Sequence, residues 1–541
     1  MVPLPPTSEQ PGYRVAYKTH IHDIDNDSLL QIFSHYRLKH EEIWNFRLTW
    51  RHLAQVCRRW RYFIFDLSSH LDICLSLTKY SPPMEMLGHL PPIPLVIDYS
   101  DRARTMTSTD EDNIRLGLEL HDRVRRVNLQ APFSSFHLWV LQMNHHFPRL
   151  EDLSLLSTNT ETEETSLVLP ETLQAPNLRR LSLHGICLST GLSLLSSAIA
   201  LSTLSLTHIR PPCYFPPRHL ATRLKSLPHI EELSIGFAIP IPLPSSEGEL
   251  LPAPIPPVTM PALRRLTFRG MDAYLDNLAA QINAPLLERL TLTLHFDITF
   301  TLANLSKFIH RTEGFRWLVA RVIFSEDGVS IDASYNEQQG VRKSSFHVNV
   351  NCESVDWQID SATQICSALG NVLSSVEDLT VDLRDFGMSS NWESTLEDVP
   401  WHELLLPFIG VKKLHIGSSI TLELSQALSS GAGGLILPEL KELEVSLKIH
   451  EVTNALTAFI ESRESLGHHI DLLVPPEDEE EIIRLQNTLA IWRSQRQELE
   501  NRWQREVEVE RRKVEAERKE KEIWKARALA LEERLKGLDV S

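Results

Sequence analysis

Between His22 and Leu75 apolar residues recur at helical spacing. Leu29, Ile32, Phe33 and Tyr36 fall at i, i+3, i+4 and i+7, one face of an α-helix. Asp23, Asp25, Asn26 and Asp27 precede it, and short acidic and amide side chains accept the free N–H groups of a helix start. Leu53, Val56, Cys57, Trp60 and Ile64 repeat the stripe at i, i+3, i+4, i+7 and i+11, which predicts a second helix among Arg51, Arg58, Arg59 and Arg61. Two apolar stripes in about fifty residues are more than so small a unit buries well alone. Two readings follow: a partner subunit covers the remainder, or the helices only cap a neighbouring domain.

From about Val124 the chain repeats a Leu-x-x-Leu-x-Leu skeleton. It stands as Val124-Val127-Leu129, Leu150-Leu153-Leu155, Leu178-Leu181-Leu183, Leu201-Leu204-Leu206, Ile230-Leu233-Ile235, Leu263-Leu266-Phe268 and Leu287-Leu290-Leu292. It returns as Val376-Leu379-Val381, Val411-Leu414-Ile416 and Leu440-Leu443-Val445. The last two apolar positions of each set alternate with polar ones, the period of a strand with one buried face. Helix-like stretches such as Leu192 to Leu201 and Tyr274 to Ile282 lie between copies, and Pro148, Pro176 and Pro438 introduce several of them. One strand and one helix per period of 23 to 35 residues is the arithmetic of a stacked repeat. Between Trp317 and Trp357 the skeleton fades, although Phe346-Val348-Val350 still alternates like a strand.

Pro475-Pro476 end this region, and Glu477 to Glu481 suit the start of a helix. Ile482, Leu485, Leu489, Trp492, Leu499 and Trp503 follow 3-4 spacing; charges of both signs dominate from Arg505 to Lys521. Apolar spacing resumes at Trp524, Ala528, Leu531, Leu535 and Leu538. A helix of about sixty residues reaches roughly 90 Å. Either it pairs as a coiled coil, with itself or with a partner helix through residues 482–538, or i, i+4 charge pairs hold it as a single solvated helix.

Composition narrows the classes. A chain of 541 residues with 42% hydrophobic content suggests two or three domains with a proper core. A net charge of −17 argues against broad nucleic-acid binding. The six cysteines are scattered without Cys-x-x-Cys spacing and read as reduced, mostly buried thiols. Met1 to Gln10 carries prolines and no signal-like apolar run, and no stretch is apolar and long enough to span a membrane. A cytoplasmic or nuclear location is expected.

The enzymatic signals are near misses. His40-Glu41 and His402-Glu403 begin a His-Glu-x-x-His pattern, but Trp44 and Leu406 occupy its last position. Gly431-Ala432-Gly433-Gly434 lacks the Lys-Ser/Thr of a phosphate loop. His468-His469 reads as a surface pair, and Pro254 and Pro257 as part of a loop let out between Ile239 and Pro261. No catalytic residue, metal ligand or cofactor is expected.

The pattern Ile24-x-x-Asp27-x-Leu29-Leu30-x-Ile32-Phe33, followed by Leu53-x-x-Val56-Cys57-Arg58-Arg59-Trp60, resembles the F-box. It departs at its opening, where Ile24, Asp25, Asn26 and Asp27 stand in place of Leu-Pro-x-Glu. The repeats resemble irregular leucine-rich repeats, lacking the Asn that commonly follows the third apolar position. With these resemblances the expectation is an α/β fold: a disordered leader (1–19), read from its clustered prolines, an F-box helical module (20–80), a leucine-rich-repeat solenoid (81–475) and, from its spacing, a long helix or coiled coil (476–541). They imply a substrate-recognition subunit of an SCF-type cullin–RING ubiquitin ligase, which binds a Skp-type adaptor and presents a protein client. Ile24, Leu29, Leu30, Ile32, Phe33, Leu53, Val56, Cys57 and Trp60 then divide between the module's core and the adaptor surface. The alternative is a non-ligase scaffold with a degenerate F-box, assembled through its tail.

Overall fold

Alternating apolar residues pleat into strands whose inward faces need cover, and in this chain sixteen strands join one sheet, with two two-stranded sheets beside it. The computed structural model describes residues 24–38, 49–66, 74–79, 93–100, 105–158, 167–188, 193–238, 256–295, 299–312, 315–335, 344–352, 354–384, 401–417, 420–430 and 436–445. Beyond these it describes 456, 459–461, 463, 467–473 and seven positions between 502 and 519. The leader, Trp44, His40-Glu41, Pro254, Gly431 to Gly434 and most of the tail lie outside the described residues. Contacts divide the chain into two units, residues 1–473 and 474–541.

The first unit is mixed α/β, with thirteen α-helices and one 3-10 turn among the described residues. Sixteen strands form one sheet that does not close into a barrel. In spatial order it begins with Leu75–Leu77, Leu95–Tyr99, Val124–Ala131, Asp152–Ser157, Arg180–His184, Thr203–Ile209, Glu232–Phe237, Arg265–Gly270 and Arg289–His295. It continues with Ser345–Asn351, Gly328–Ser334, Val319–Ser325, Asp378–Leu383, Lys413–Ile416, Glu442–Val445 and Asp471–Leu473. Neighbours are parallel except where the hairpin of Val319–Ser325 and Gly328–Ser334 runs back and pairs antiparallel with Ser345–Asn351.

The apolar skeleton is in register across this sheet. Val127, Leu153, Leu181, Leu204, Leu233, Leu266 and Leu290 face one another strand to strand, and Leu129, Leu155, Leu183, Leu206, Ile235, Phe268 and Leu292 form a second row. All of these are buried. Burying one such side chain contributes roughly 1.5–3 kcal/mol, too little for one strand to stand alone. Helices cover the buried face between strands, among them Ser108–Glu119, Phe133–Gln142, Pro217–Leu224, Asp272–Gln281, Ala303–His310 and Val355–Ala368.

Helix starts are held by side chains. Thr107 and Asp110 form a reciprocal capping box on Ser108–Glu119. The buried carboxylate of Asp276 accepts from the amides of Asn304 and Leu305 at 2.7 and 2.9 Å, so one helix caps the next.

Three sequence readings change. The faded stretch after Trp317 is strand-rich: Trp317 is buried and stacks on Phe346 at 4.8 Å, anchoring the antiparallel hairpin. Helix-like Leu192 to Leu201 yields only Ser193–Ser197. There Ser197 Oγ donates to the Leu194 carbonyl and accepts from the Ala175 amide, a side-chain competition that ends the helix. The cysteines are not all reduced, because Cys187 and Cys213 form a disulfide. They lie 26 residues apart, beyond any short motif, but the fold brings the 3-10 turn Pro211–Cys213 against the strand Ile186–Cys187, with their Cα atoms 5.6 Å apart and within bridging range. Cys352 and Cys366 are buried thiols that desolvation pushes up to about 11 and about 12.

Candidate functional site

The front of the chain forms three helices: α1 (Asn26–Leu38), α2 (Thr49–Val56) and α3 (Arg58–Asp66). The sequence stripe from Leu53 to Ile64 predicts one helix, whereas two form, broken at Cys57. The sulfur of Cys57 accepts from the amide of Trp60 at 3.4 Å, and its carbonyl takes the Arg61 amide at 3.1 Å. Cys57 therefore starts α3 in the manner of an N-cap. Arg61 Nε donates to the Ala54 carbonyl at 3.0 Å and ties α3 back to α2.

Asp25 starts α1. Its carboxylate accepts from the amide and the hydroxyl of Ser28 at 2.7 and 2.8 Å, and the Ser28 amide bond is the main reason its pKa is lowered. Arg59 donates to the carbonyl of Ile24 at 2.7 Å and to Asn26 Oδ1 at 2.9 Å, fastening the beginning of α1 to α3. Sequence reading assigned Arg59 and Arg61 only polar surroundings; their contacts span 35 and 7 residues.

These anchors divide the nine expected site residues. Leu29, Phe33 and Trp60 are buried, with Phe33 edge-on to Trp60 at 4.9 Å and to Phe63 at 6.0 Å. Ile24, Leu30, Leu53 and Cys57 are partly buried and pack against the same core, which is continuous with Leu75, Leu77 and the first strands. Ile32 and Val56 are 44% and 50% exposed, and Tyr62, which the sequence reading did not single out, is 68% exposed. Val56 is the last residue of α2, at the break before Cys57.

A second surface lies on the sheet face opposite the buried rows. There Asn128, Ser154, Ser182, Ser205, Ser234, Thr267 and Thr291 stand in register, followed by His347, Asp332, Arg321, Thr380, His415 and Glu444. Many charges on this face are paired. Arg180 meets Asp152 at 2.7 Å, Arg265 meets Glu232, and His415 meets Glu444 at 3.0 Å and Asp378 at 3.5 Å. His347 Nδ1 lies 2.6 Å from Asp332, and that bond raises its pKa against the opposing effect of burial. Two adjoining hollows of about 360 and 570 Å³ open on this face and share Val319, Arg321, Ile323 and Arg384.

Among the described residues no three His, Cys, Asp or Glu side chains come together as a metal site, and no helix is long and apolar enough to cross a membrane. His402 and Glu403 sit on the short helix Trp401–Leu405, both half exposed, and His469 pairs with Asp471 at the surface. In the second unit the seven described positions are helical and exposed, with pairs Glu508–Arg512 at 3.0 Å and Glu515–Lys519 at 3.5 Å. No protein-family model matches the chain, and no curated protein matches it.

Proposed function

We propose that this protein is the substrate-recognition subunit of an SCF-type cullin–RING ubiquitin ligase. In this reading α1 to α3 are an F-box that docks on a Skp-type adaptor. The long sheet is an irregular leucine-rich-repeat solenoid that presents a protein client. The observation that carries the reading is the division of the front helices. Their interior is already filled by Leu29, Phe33, Trp60 and Ile64, yet Ile32, Val56 and Tyr62 still project apolar surface into solvent. Capping by Asp25 supplies a start to α1 without the proline that the family pattern expects. The mechanism is positional: the receptor holds a client beside the ubiquitin-charged enzyme and raises its effective concentration. A stable contact of this kind buries about 1,600 Å² in total, with a few aromatic or aliphatic anchors carrying most of the energy.

The test is capture of purified adaptor by the full-length protein. Wild type retains adaptor at one-to-one stoichiometry, and Ile32→Asp/Val56→Asp lowers the affinity at least tenfold with its melting temperature unchanged. Phe33→Ala/Trp60→Ala loses capture as well, through unfolding of the front helices. Failure of the wild type to retain adaptor, or full retention by Ile32→Asp/Val56→Asp, refutes the assignment.

A further inference from the structure

The open face of the sheet carries arginines that its own acids do not neutralise. Arg269, Arg289 and Arg321 are exposed residues of the strands Arg265–Gly270, Arg289–His295 and Val319–Ser325, and none has an acidic partner among the described residues. This contrasts with Arg180, Arg265 and Arg384 of the same face, each of which meets a carboxylate. Arg289 and Arg321 both line the larger hollow, whose floor between them is Ser334, Ser345 and the mutually paired Asp332 and His347. Arg269 stands one strand further on, beside Gly236, whose missing side chain leaves space toward Thr207. In a chain of net charge −17 these arginines stand without ion-pair partners over a floor whose acids, Asp332, Asp378 and Asp382, are already engaged by His347, His415 and Arg384.

We propose that this face binds an extended acidic segment of the client, laid across the strands so that its carboxylates reach Arg289 and Arg321. The proposal rests on the reading of the sheet as the client-binding part. Arg289 and Arg321 belong to strands separated by two others and are offset by one pleat repeat. Strand spacing of about 4.8 Å and a rise of about 3.3 Å per residue place them roughly 16 Å apart, the span of about five extended residues. Glutamates spaced four to five positions apart therefore match both guanidinium groups. Arginine forks donate to carboxylates in bidentate geometry, and Val319 and Ile323, which flank Arg321 on its strand, suit an apolar residue beside the acid that meets it.

The experiment uses full-length protein and a fluorescein-labelled twelve-residue peptide with glutamates at this spacing, followed by anisotropy. Controls are the same peptide with Gln for Glu and a single-stranded oligonucleotide of equal charge. The Glu peptide binds at least tenfold more tightly than the Gln peptide, and its affinity falls as salt rises. Arg289→Ala and Arg321→Ala each weaken it roughly fivefold, and the pair about twentyfold, with the circular dichroism melt unchanged. Equal binding of the Gln peptide, undiminished binding by the double variant, or arginine-dependent binding of the oligonucleotide alone overturns the proposal. Adaptor capture scored on the same samples separates the two claims. Peptide binding without adaptor capture refutes the ligase reading and keeps this one, and capture without peptide binding does the reverse.

Discussion

At the scale of single residues, short side chains set where elements begin. Asp25 and Cys57 each accept an amide three residues on, and each opens a helix. Asp25 was legible as a helix-start residue from its place before the stripe; Cys57 was not, because a thiol inside an apolar stripe reads as core. The pairing of His347 with Asp332 was equally hidden, since it joins residues 15 apart on antiparallel strands. Its consequence for pH follows from the direction of the shift. The folded pKa of His347 lies above its unfolded value near 6.5, so the pair stabilises fully below about pH 6.5 and loses this contribution as pH rises through the folded value. NMR titration should therefore find His347 above the ordinary histidine range, and Asp332→Asn should bring it back down. A wild-type His347 that titrates at or below that range contradicts the pairing.

At the scale of elements, helices of neighbouring units are fastened through buried polar contacts. Asp276 lies on Asp272–Gln281 and holds the amides that begin Ala303–His310, with Asn304 Nδ2 added at 2.8 Å. Removing this acceptor strands buried donors, and Asp276→Ala is expected to cost about 2–3 kcal/mol in urea unfolding. A loss below about 0.5 kcal/mol would mean that the cap is not made. Sequence spacing marked Tyr274 to Ile282 as helical, but the role of Asp276 depends on a helix about thirty residues away. The helix-length miss at Ser193–Ser197 has the same origin: serines reach backbone groups of another segment. The hairpin after Trp317 escaped because its strands lack the leading leucine, and the anchor that replaces it, Trp317 on Phe346, joins positions with no common period.

At the scale of the whole first unit, one apolar cluster runs from Leu29 to Ile470, so strands depend on their neighbours more than on distant ones. Leu233 sits between Leu204 and Leu266 in register. Leu233→Ala is expected to cost about 2–5 kcal/mol. Paired with Leu204→Ala it should depart from additivity by about 0.5–3 kcal/mol, whereas Leu153→Ala and Leu414→Ala should add to within about 0.5 kcal/mol. Equal coupling in both pairs would contradict neighbour-limited packing. The mixed α/β class, the ten strands of the repeated skeleton and their buried positions were written in the chain itself, because pleat and helix periods are local properties that hydrophobic alternation records directly. Tertiary structure alone decided that Phe33 and Trp60 face inward while Ile32 and Val56 face out. It alone joined Cys187 to Cys213, and left Arg289 and Arg321 without an ion-pair partner among the described residues, Asp332 next to Arg321 being engaged by His347. Each of these depends on which distant residues share a row or a helix contact, and no local period carries that information.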